Sequence, residues 1–183
     1  MLAGFLQLLG AAEMTKYDYR LLATTKTSTM EKELNQAAAA GYSFSSVMGG
    51  HTGLGGNEVV VVMTKKLGAE PQANKEYKLL ATSRTSTMQK ELQQAGDQGF
   101  DFCGQTLFES AFGGKEVSVI LERSPASAKR RIEFKLLATT RTSTMEKELK
   151  EAGAAGFQFL EVIIGTTAMA GKEVVSILRK YSD

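Results

Sequence analysis

The chain has 183 residues but only one cysteine, one histidine and two prolines. A single cysteine, Cys103, excludes an intramolecular disulfide and gives no information about the redox compartment. A single histidine, His51, excludes a metal site or a proton relay made from several histidines of this chain. We therefore expect His51 to be a surface loop residue and Cys103 to be a small buried filler rather than a nucleophile.

A large charge excess and a long apolar run are also missing. The formal net charge is +2, which is too small to make the phosphate backbone of a nucleic acid the expected partner. No window contains the ~20 apolar residues that a membrane-spanning helix needs, so we expect a soluble chain. Residues 1–12 form a short apolar stretch that could be the remnant of a secretory signal, an amphipathic segment packed on the first repeat, or the tail of an upstream copy. Both a cytoplasmic and an exported location are compatible with this sequence.

The dominant feature that is present is an internal repeat. The sequence Thr-Ser-Thr-Met occurs three times, within copies that start at Tyr19, Tyr77 and Phe134 and are about 58 residues apart. We divide the chain into an N-terminal segment 1–18 and the repeats 19–66, 77–123 and 134–181. A unit below about 60 residues is near the lower limit for burying a core alone, so the units are expected to pack against one another.

Each copy begins with an apolar run typical of a buried strand, followed by the pattern of an amphipathic helix. In the second copy Met88, Leu92 and Ala95 lie on one helix face, and Ser86 precedes Gln89 by three residues, which is the spacing of a capping box. The same pattern recurs as Ser28, Met30, Glu31, Leu34 and Ala37, and as Ser143, Met145, Glu146, Leu149 and Ala152. The spacing predicts three helices capped by serine at equivalent positions.

Each helix pattern ends at a glycine, which can close the last turn in the left-handed conformation; these are Gly41, Gly99 and Gly156. An aromatic pair follows, expected on one strand face under the helix: Tyr42 and Phe44, Phe100 and Phe102, Phe157 and Phe159. The final strands, 59–63, 117–121 and 174–178, are almost continuously apolar and should be covered on both faces. We predict an α+β fold of three tandem βαββ repeats with helices outside and sheets inside. A pseudo-threefold assembly is one arrangement, and a linear array with end faces that need caps is the alternative.

The helix starts are the best candidate for a binding surface. Free amide donors, hydroxyls and a cation near a helix N-terminus together suit a small anion. The candidate residues are Lys26, Ser28, Thr29, Arg84, Ser86, Thr87, Arg141, Ser143 and Thr144. The alternative is that the same residues only cap their helices.

For two other patterns we do not predict a binding or catalytic site. The connector 49–56 is rich in glycine but joins two strands and lacks a Gly-Lys-Ser/Thr ending, so it predicts a flexible hairpin loop instead of a phosphate-binding loop. Six carboxylates recur at equivalent positions, and we expect a solvated helix face and strand-end ion pairs rather than an acidic ring around an axis. They are Glu33, Glu91 and Glu148 on the helices and Glu58, Glu116 and Glu173 at the last strands.

The unit resembles a bacterial family of small domains of unknown function. The resemblance rests on the Tyr-Lys-Leu-Leu strand, the Ser-Thr-Met-Glu-Lys-Glu-Leu helix, the Ala-Ala-Gly-Phe-Gln-Phe turn and the Gly-Gly-Lys-Glu-Val-Val-Ser-Ile-Leu strand, and it covers all three repeats. It implies a βαββ fold, and it brings no known catalytic residues. Members usually carry one unit, whereas this chain has three, and some similar tandem proteins are exported.

Three functions are compatible with these observations. The first is a non-enzymatic binding or interaction module for a small anionic ligand or a protein partner, without cofactor or metal. The second is a purely structural protein in which triplication replaces a homotrimer of single units. The third is an enzyme with a cavity between repeats, in which Glu116 and its counterparts act as acids.

Overall fold

The chain folds into three similar units, each made of a strand, a helix and two more strands. The computed structural model describes residues 14–52, 56–69, 75–109, 115–125, 130–167 and 171–182. Unit 1 contains β1 (Tyr17–Thr24), α1 (Thr27–Ala39), β2 (Ser43–Thr52) and β3 (Gly56–Lys66). Unit 2 contains β4 (Glu76–Thr82), α2 (Thr85–Asp97), β5 (Asp101–Glu109) and β6 (Lys115–Arg123). Unit 3 contains β7 (Ile132–Thr139), α3 (Thr142–Ala154), β8 (Gln158–Thr167) and β9 (Gly171–Tyr181). The predicted α+β fold of three βαββ repeats is confirmed.

In every unit the last strand is the centre of a three-stranded antiparallel sheet. The strand orders are β1-β3-β2, β4-β6-β5 and β7-β9-β8. One side of each sheet lies under the helix of the same unit, and we call it the helix face; the opposite side is the back face. On the helix face of unit 1, Val59, Val61 and Met63 are fully buried. On the back face of unit 1, Val60 and Val62 are only half-buried, so the prediction that this strand is covered on both faces is wrong for unit 1.

The second strand of each sheet contains a one-residue bulge. Pairing with the central strand shifts between Phe44 and Ser46 in β2, and the equivalent shifts in β5 and β8 leave Cys103 and Leu160 unpaired in the register. A bulge changes the alternation of side chains, so Phe44 and Val47, three residues apart, lie on the same face.

The helix starts differ from the prediction. The residue before each helix is Lys26, Arg84 or Arg141, and no side chain caps the first turn. Prediction of a serine capping box is therefore wrong, because Ser28 and its counterparts are already the second residue of their helices. The backbone amide of Lys26 instead donates to the Thr24 hydroxyl at 3.1 Å.

The helix ends and the apolar helix stripe agree with the prediction. Gly41 has a φ of 87°, and its N–H donates to the Ala38 carbonyl at 2.9 Å, while the Tyr42 N–H donates to the Ala37 carbonyl at 3.0 Å. These two bonds form a Schellman motif, in which the left-handed glycine lets the chain turn back onto the sheet. Gly99 and Gly156 have the same conformation.

The units pack in chain order through one recurring type of contact. Helix α1 contacts β4 of unit 2, and α2 contacts β7 of unit 3. One buried cluster joins Leu34 and Val61 of unit 1 to Ile120 of unit 2. A second cluster joins Leu92 of unit 2 to Phe134 of unit 3. The helix side of one unit thus covers the back face of the next, and the main contacts of the described residues run from unit 1 to unit 2 and from unit 2 to unit 3.

The connector in unit 1 is shorter than predicted, because β2 continues to Thr52 and β3 begins at Gly56. His51 therefore lies in a strand instead of a loop, and residues 53–55 lie outside the described residues, as does the apolar segment 1–12. Each of the three helices has 13 residues. Within the described ranges, no helix has the length and apolar character needed to cross a membrane.

Candidate functional site

The nine residues predicted to bind an anion lie in three different surroundings. At the start of α1, Thr27 and Ser28 line a groove of about 370 Å³ that is also lined by the carboxylates Glu31 and Glu91. Their negative charge opposes an anion in this groove. Lys26, Arg84 and Arg141, the basic residues that precede the three helices, are all exposed.

The second and third helix starts differ from the first. At α2 the unit 3 residues Leu136 and Val175 cover the site and leave a gap of only about 10 Å³ beside Arg84. At α3 no described residue covers the helix start, and Arg141, Ser143 and Thr144 are all exposed. The structure does not repeat one binding geometry three times, and the anion site stays a prediction.

A different function for the helix residues emerges where α1 meets unit 2. The Asn35 side chain accepts a bond from the Tyr77 N–H and donates one to the Tyr77 carbonyl, both at 2.9 Å. Nearby, the Glu31 carboxylate accepts a bond from the Leu79 N–H at 2.9 Å. Strand β4 is an edge of its sheet, so these side chains supply the partners that another strand would provide.

Helix α2 likewise supplies hydrogen-bonding partners to the edge strand β7 of unit 3. Gln89 accepts a bond from the Leu136 N–H at 2.7 Å and donates one to the Phe134 carbonyl at 2.9 Å. Gln93 accepts from the Phe134 N–H at 3.1 Å and donates to the Ile132 carbonyl at 3.4 Å. Sequence reasoning had assigned Gln89 and Glu31 to capping boxes, because the three-residue spacing from serine fits that motif. In the folded chain their bonding partners lie on the next unit.

Close backbone approaches occur at both contacts between consecutive units, which we call the internal joints. At the first joint, a Cβ added to Gly49 of β2 would overlap the Leu107 carbonyl oxygen of β5. A Cβ added to Gly96 of α2 would lie 2.9 Å from Cδ2 of Phe134 and closer still to the Ile132 carbonyl oxygen. Any larger residue at this position would force α2 or β7 to move. The equivalent residue of α3, Gly153, has nothing within 4 Å of such a Cβ.

Among the described residues, no other unit covers the back face of unit 1. Tyr19 is 64% exposed and Leu21 is 66% exposed, whereas Tyr77 and Phe134, the counterparts of Tyr19, are each 2% exposed. Met48, which shares this face through its pairing with Val60, is 64% exposed. We call this surface the open face; its residues are Tyr17, Tyr19, Leu21, Met48, Val60 and Val62.

The helix side of unit 3 is also exposed in the part of the chain that the structure describes. Phe159, predicted to lie under its helix, is on the helix face but remains 48% exposed. Val162 and Ile164 of the same strand are 46% and 70% exposed. On α3, Glu146 and Lys150 occupy the positions of Glu31 and Asn35, and their exposed side chains form an ion pair at 2.6 Å. We call this surface the tail face; it consists of α3 and the exposed part of β8.

A buried polar cluster lies at the joint of units 1 and 2. The Tyr77 hydroxyl accepts a bond from the Phe44 N–H at 2.9 Å and donates to Glu122, which also pairs with Lys75 at 2.9 Å. Burial raises the pKa of the Cys103 thiol, and the Glu122 carboxylate adds to the effect. The thiol is therefore protonated at neutral pH, which makes Cys103 a poor nucleophile.

The recurring carboxylates do not gather into a metal site in the part of the chain that the structure describes. No group of three or more His, Cys, Asp or Glu residues there is close enough to hold a metal ion. Glu31 and Glu91 meet at the groove beside α1, without a third acidic residue in its lining.

Comparison of the chain with models of known protein families, with curated proteins and with solved structures gives no match. The description of the chain as three similar units, each a strand, a helix and two strands, therefore rests on the structure alone.

Proposed function

We propose that this chain is a non-enzymatic interaction module that binds a protein partner through the open face of unit 1. The observation that supports this is the difference between equivalent residues. In units 2 and 3 the back face is covered by the helix side of the preceding unit, and Tyr77 and Phe134 are buried there. The same face of unit 1 keeps aromatic and aliphatic residues in solvent.

The chemistry of the open face favours a protein partner. Contiguous exposed apolar side chains on a sheet are typical of interaction surfaces, and aromatic residues are enriched at the centres of interfaces. Strand β1 is also an edge strand, so its outward N–H and C=O groups can pair with a partner that carries amide or carboxylate side chains. At the joints within the chain, the helix side of one unit binds both the apolar face and the strand edge of the next unit.

Capture with matched variants tests this function. Leu21→Asp places a charge on the open face, and Leu67→Asp is the control, because Leu67 is 47% exposed but lies beyond the end of β3. We expect both variants to fold like the wild type, since neither residue is in a buried cluster. A protein partner, including the chain itself, that is bound by the wild type and Leu67→Asp but lost with Leu21→Asp supports the proposal. Equal binding by all three chains contradicts it.

The helix starts are a second candidate for ligand binding. At α3 the exposed Arg141, Ser143 and Thr144 surround the first turn of the helix, which presents amide donors and a positive dipole end. Sulfate or phosphate is the chemical class that such a start would bind. We also infer a relation to the bacterial small-domain family, for which the repeated βαββ unit is the support.

A further inference from the structure

We propose that the partner of the open face is a second copy of this chain, which docks its tail face on it. This inference rests on the proposed function of the open face. The chain already contains the required joint twice, between units 1 and 2 and between units 2 and 3. Within the described ranges, both halves of this joint are also exposed: the open face on unit 1 and the tail face on unit 3. Docking them between copies continues an interface that the chain uses internally.

The hydrogen-bonding groups of the two faces match. Glu146 stands at the position of Glu31, so it can accept a bond from the Leu21 N–H as Glu31 does from the Leu79 N–H. Lys150 stands at the position of Asn35 and can donate to the Tyr19 carbonyl. Lysine cannot accept the second bond that Asn35 accepts, so this joint should be weaker than the internal ones.

Gly153 stands at the position of Gly96 and is compatible with a docked strand, and the first joint has Ala38 at this position. At the end of a helix a glycine is less favourable than alanine, and in α2 the close approach of the Ile132 carbonyl explains Gly96. Among the described residues, nothing lies within 4 Å of a Cβ on Gly153. A docked β1 strand would bring the Tyr17 carbonyl, the counterpart of the Ile132 carbonyl, against Gly153.

The apolar parts also correspond. At the first internal joint, Phe44 and Val47 pack against Gly104, each with one carbon 3.1 Å from the place of a Cβ on that glycine. Phe159 and Val162 stand at the positions of Phe44 and Val47 on the tail face, where they are half exposed. Beside the open face, the back face of unit 1 has the small, exposed Ser46 at the position of Gly104. An aromatic ring from the tail face can therefore reach the sheet of a second copy.

This contact joins different surfaces of two identical chains. Such head-to-tail joints close into a ring when the rotation permits it and otherwise extend into an open chain. Sedimentation of the full-length protein over a wide range of concentrations measures the outcome directly. We expect the mass to rise with concentration from the 19.8 kDa of one chain to that of two or more.

Two variants test the two faces separately. Tyr19→Asp disables the open face, and Gly153→Gln disables the tail face by filling the space for the docked strand. Glu151→Ala is the control on α3, because its counterparts Gln36 and Gln94 are exposed beside both internal joints. We expect each of the first two variants to weaken self-association by about tenfold or more, and the control to leave it unchanged.

A mixture of the two variants provides the decisive measurement. Tyr19→Asp keeps its tail face and Gly153→Gln keeps its open face, so together they should form a one-to-one complex that does not grow further. A full chain that stays monomeric at all concentrations overturns the inference, as does association that survives Gly153→Gln. If the full chain is monomeric yet captures another protein that Leu21→Asp loses, the proposed function stands and only the self-association fails.

Discussion

Replacement of Gly96 by alanine tests whether the joint between units 2 and 3 is as tight as the structure indicates. The new Cβ would lie 2.9 Å from Cδ2 of Phe134 and closer to the Ile132 carbonyl oxygen. Because the second contact is with backbone, a side-chain rotation cannot relieve it, and β7 or α2 must move. That movement also stretches the bonds that Gln93 makes with Ile132 and Phe134.

The magnitude follows from two opposing effects. Alanine is more favourable than glycine in a helix by up to about 1 kcal/mol, and less near the helix end. Overpacking of a tight contact costs about 1–3 kcal/mol, and each strained hydrogen bond about 0.5–1.5 kcal/mol. We therefore expect Gly96→Ala to lower the free energy of unfolding by about 1–2 kcal/mol. The matched variant Gly153→Ala has no such contact and should raise it by about 0.5–1 kcal/mol.

Urea unfolding followed by far-ultraviolet circular dichroism compares the two variants with the wild type. The measurements should be made at a protein concentration at which sedimentation shows single chains, so that association does not add to the apparent stability. For a chain of this size, the expected changes correspond to about 2–4 °C in Tm per kcal/mol. If Gly96→Ala is as stabilising as Gly153→Ala, the close approach of β7 to α2 is refuted.

Three further predictions follow from the site. Asn35→Ala should lower the free energy of unfolding by about 1–3 kcal/mol, because two hydrogen bonds to Tyr77 are lost. The matched variant Lys150→Ala should change it by less than about 0.5 kcal/mol. Equal effects of the two variants in thermal unfolding would contradict the pairing of the β4 edge by Asn35. Burial raises the pKa values of Tyr77 and Cys103 above their ordinary values of 10.0 and 9.0, so both groups hold their protons longer in the folded state. Their contribution to stability is therefore complete below pH 9 and declines as the pH rises above 9, and urea midpoints of Tyr77→Phe should decline less steeply above pH 10 than those of the wild type. In a thermal-shift titration with sulfate and phosphate, any anion-dependent rise in Tm should disappear when Lys26, Arg84 and Arg141 are all replaced by alanine; a rise that persists would place the anion elsewhere.

Local patterns in the sequence determine much of the unit. The stripe of Met88, Leu92 and Ala95 predicted the buried side of α2, and the three glycines after the helices have the expected left-handed conformation. Both signals arise from residues within a few positions of one another. They therefore hold whatever surrounds the unit.

Features that depend on distant residues could not be predicted. The partner of Glu31 is 48 residues away, and the spacing of Glu31 from Ser28 fits a capping box equally well. Residues at the Asn35 position differ in all three copies, being Asn35, Gln93 and Lys150, so the repeat gave no sign of a shared function. The open face could not be predicted for a related reason. Tyr19 and Tyr77 are identical residues, and only Tyr77 is covered by the helix side of another described unit.

Pairing of strand edges by helix side chains also bears on aggregation. An exposed edge can recruit strands from other molecules and pass its hydrogen-bonding pattern outward. The Asn35 and Gln93 amides satisfy such an edge, but behind each amide is a helix whose own backbone is already bonded, so the pattern stops there. Fraying of α1 would expose the edge of β4 in unit 2, and fraying of α2 would expose the edge of β7 in unit 3. Protection of the β4 and β7 edges against pairing with other molecules therefore depends on the stability of α1 and α2.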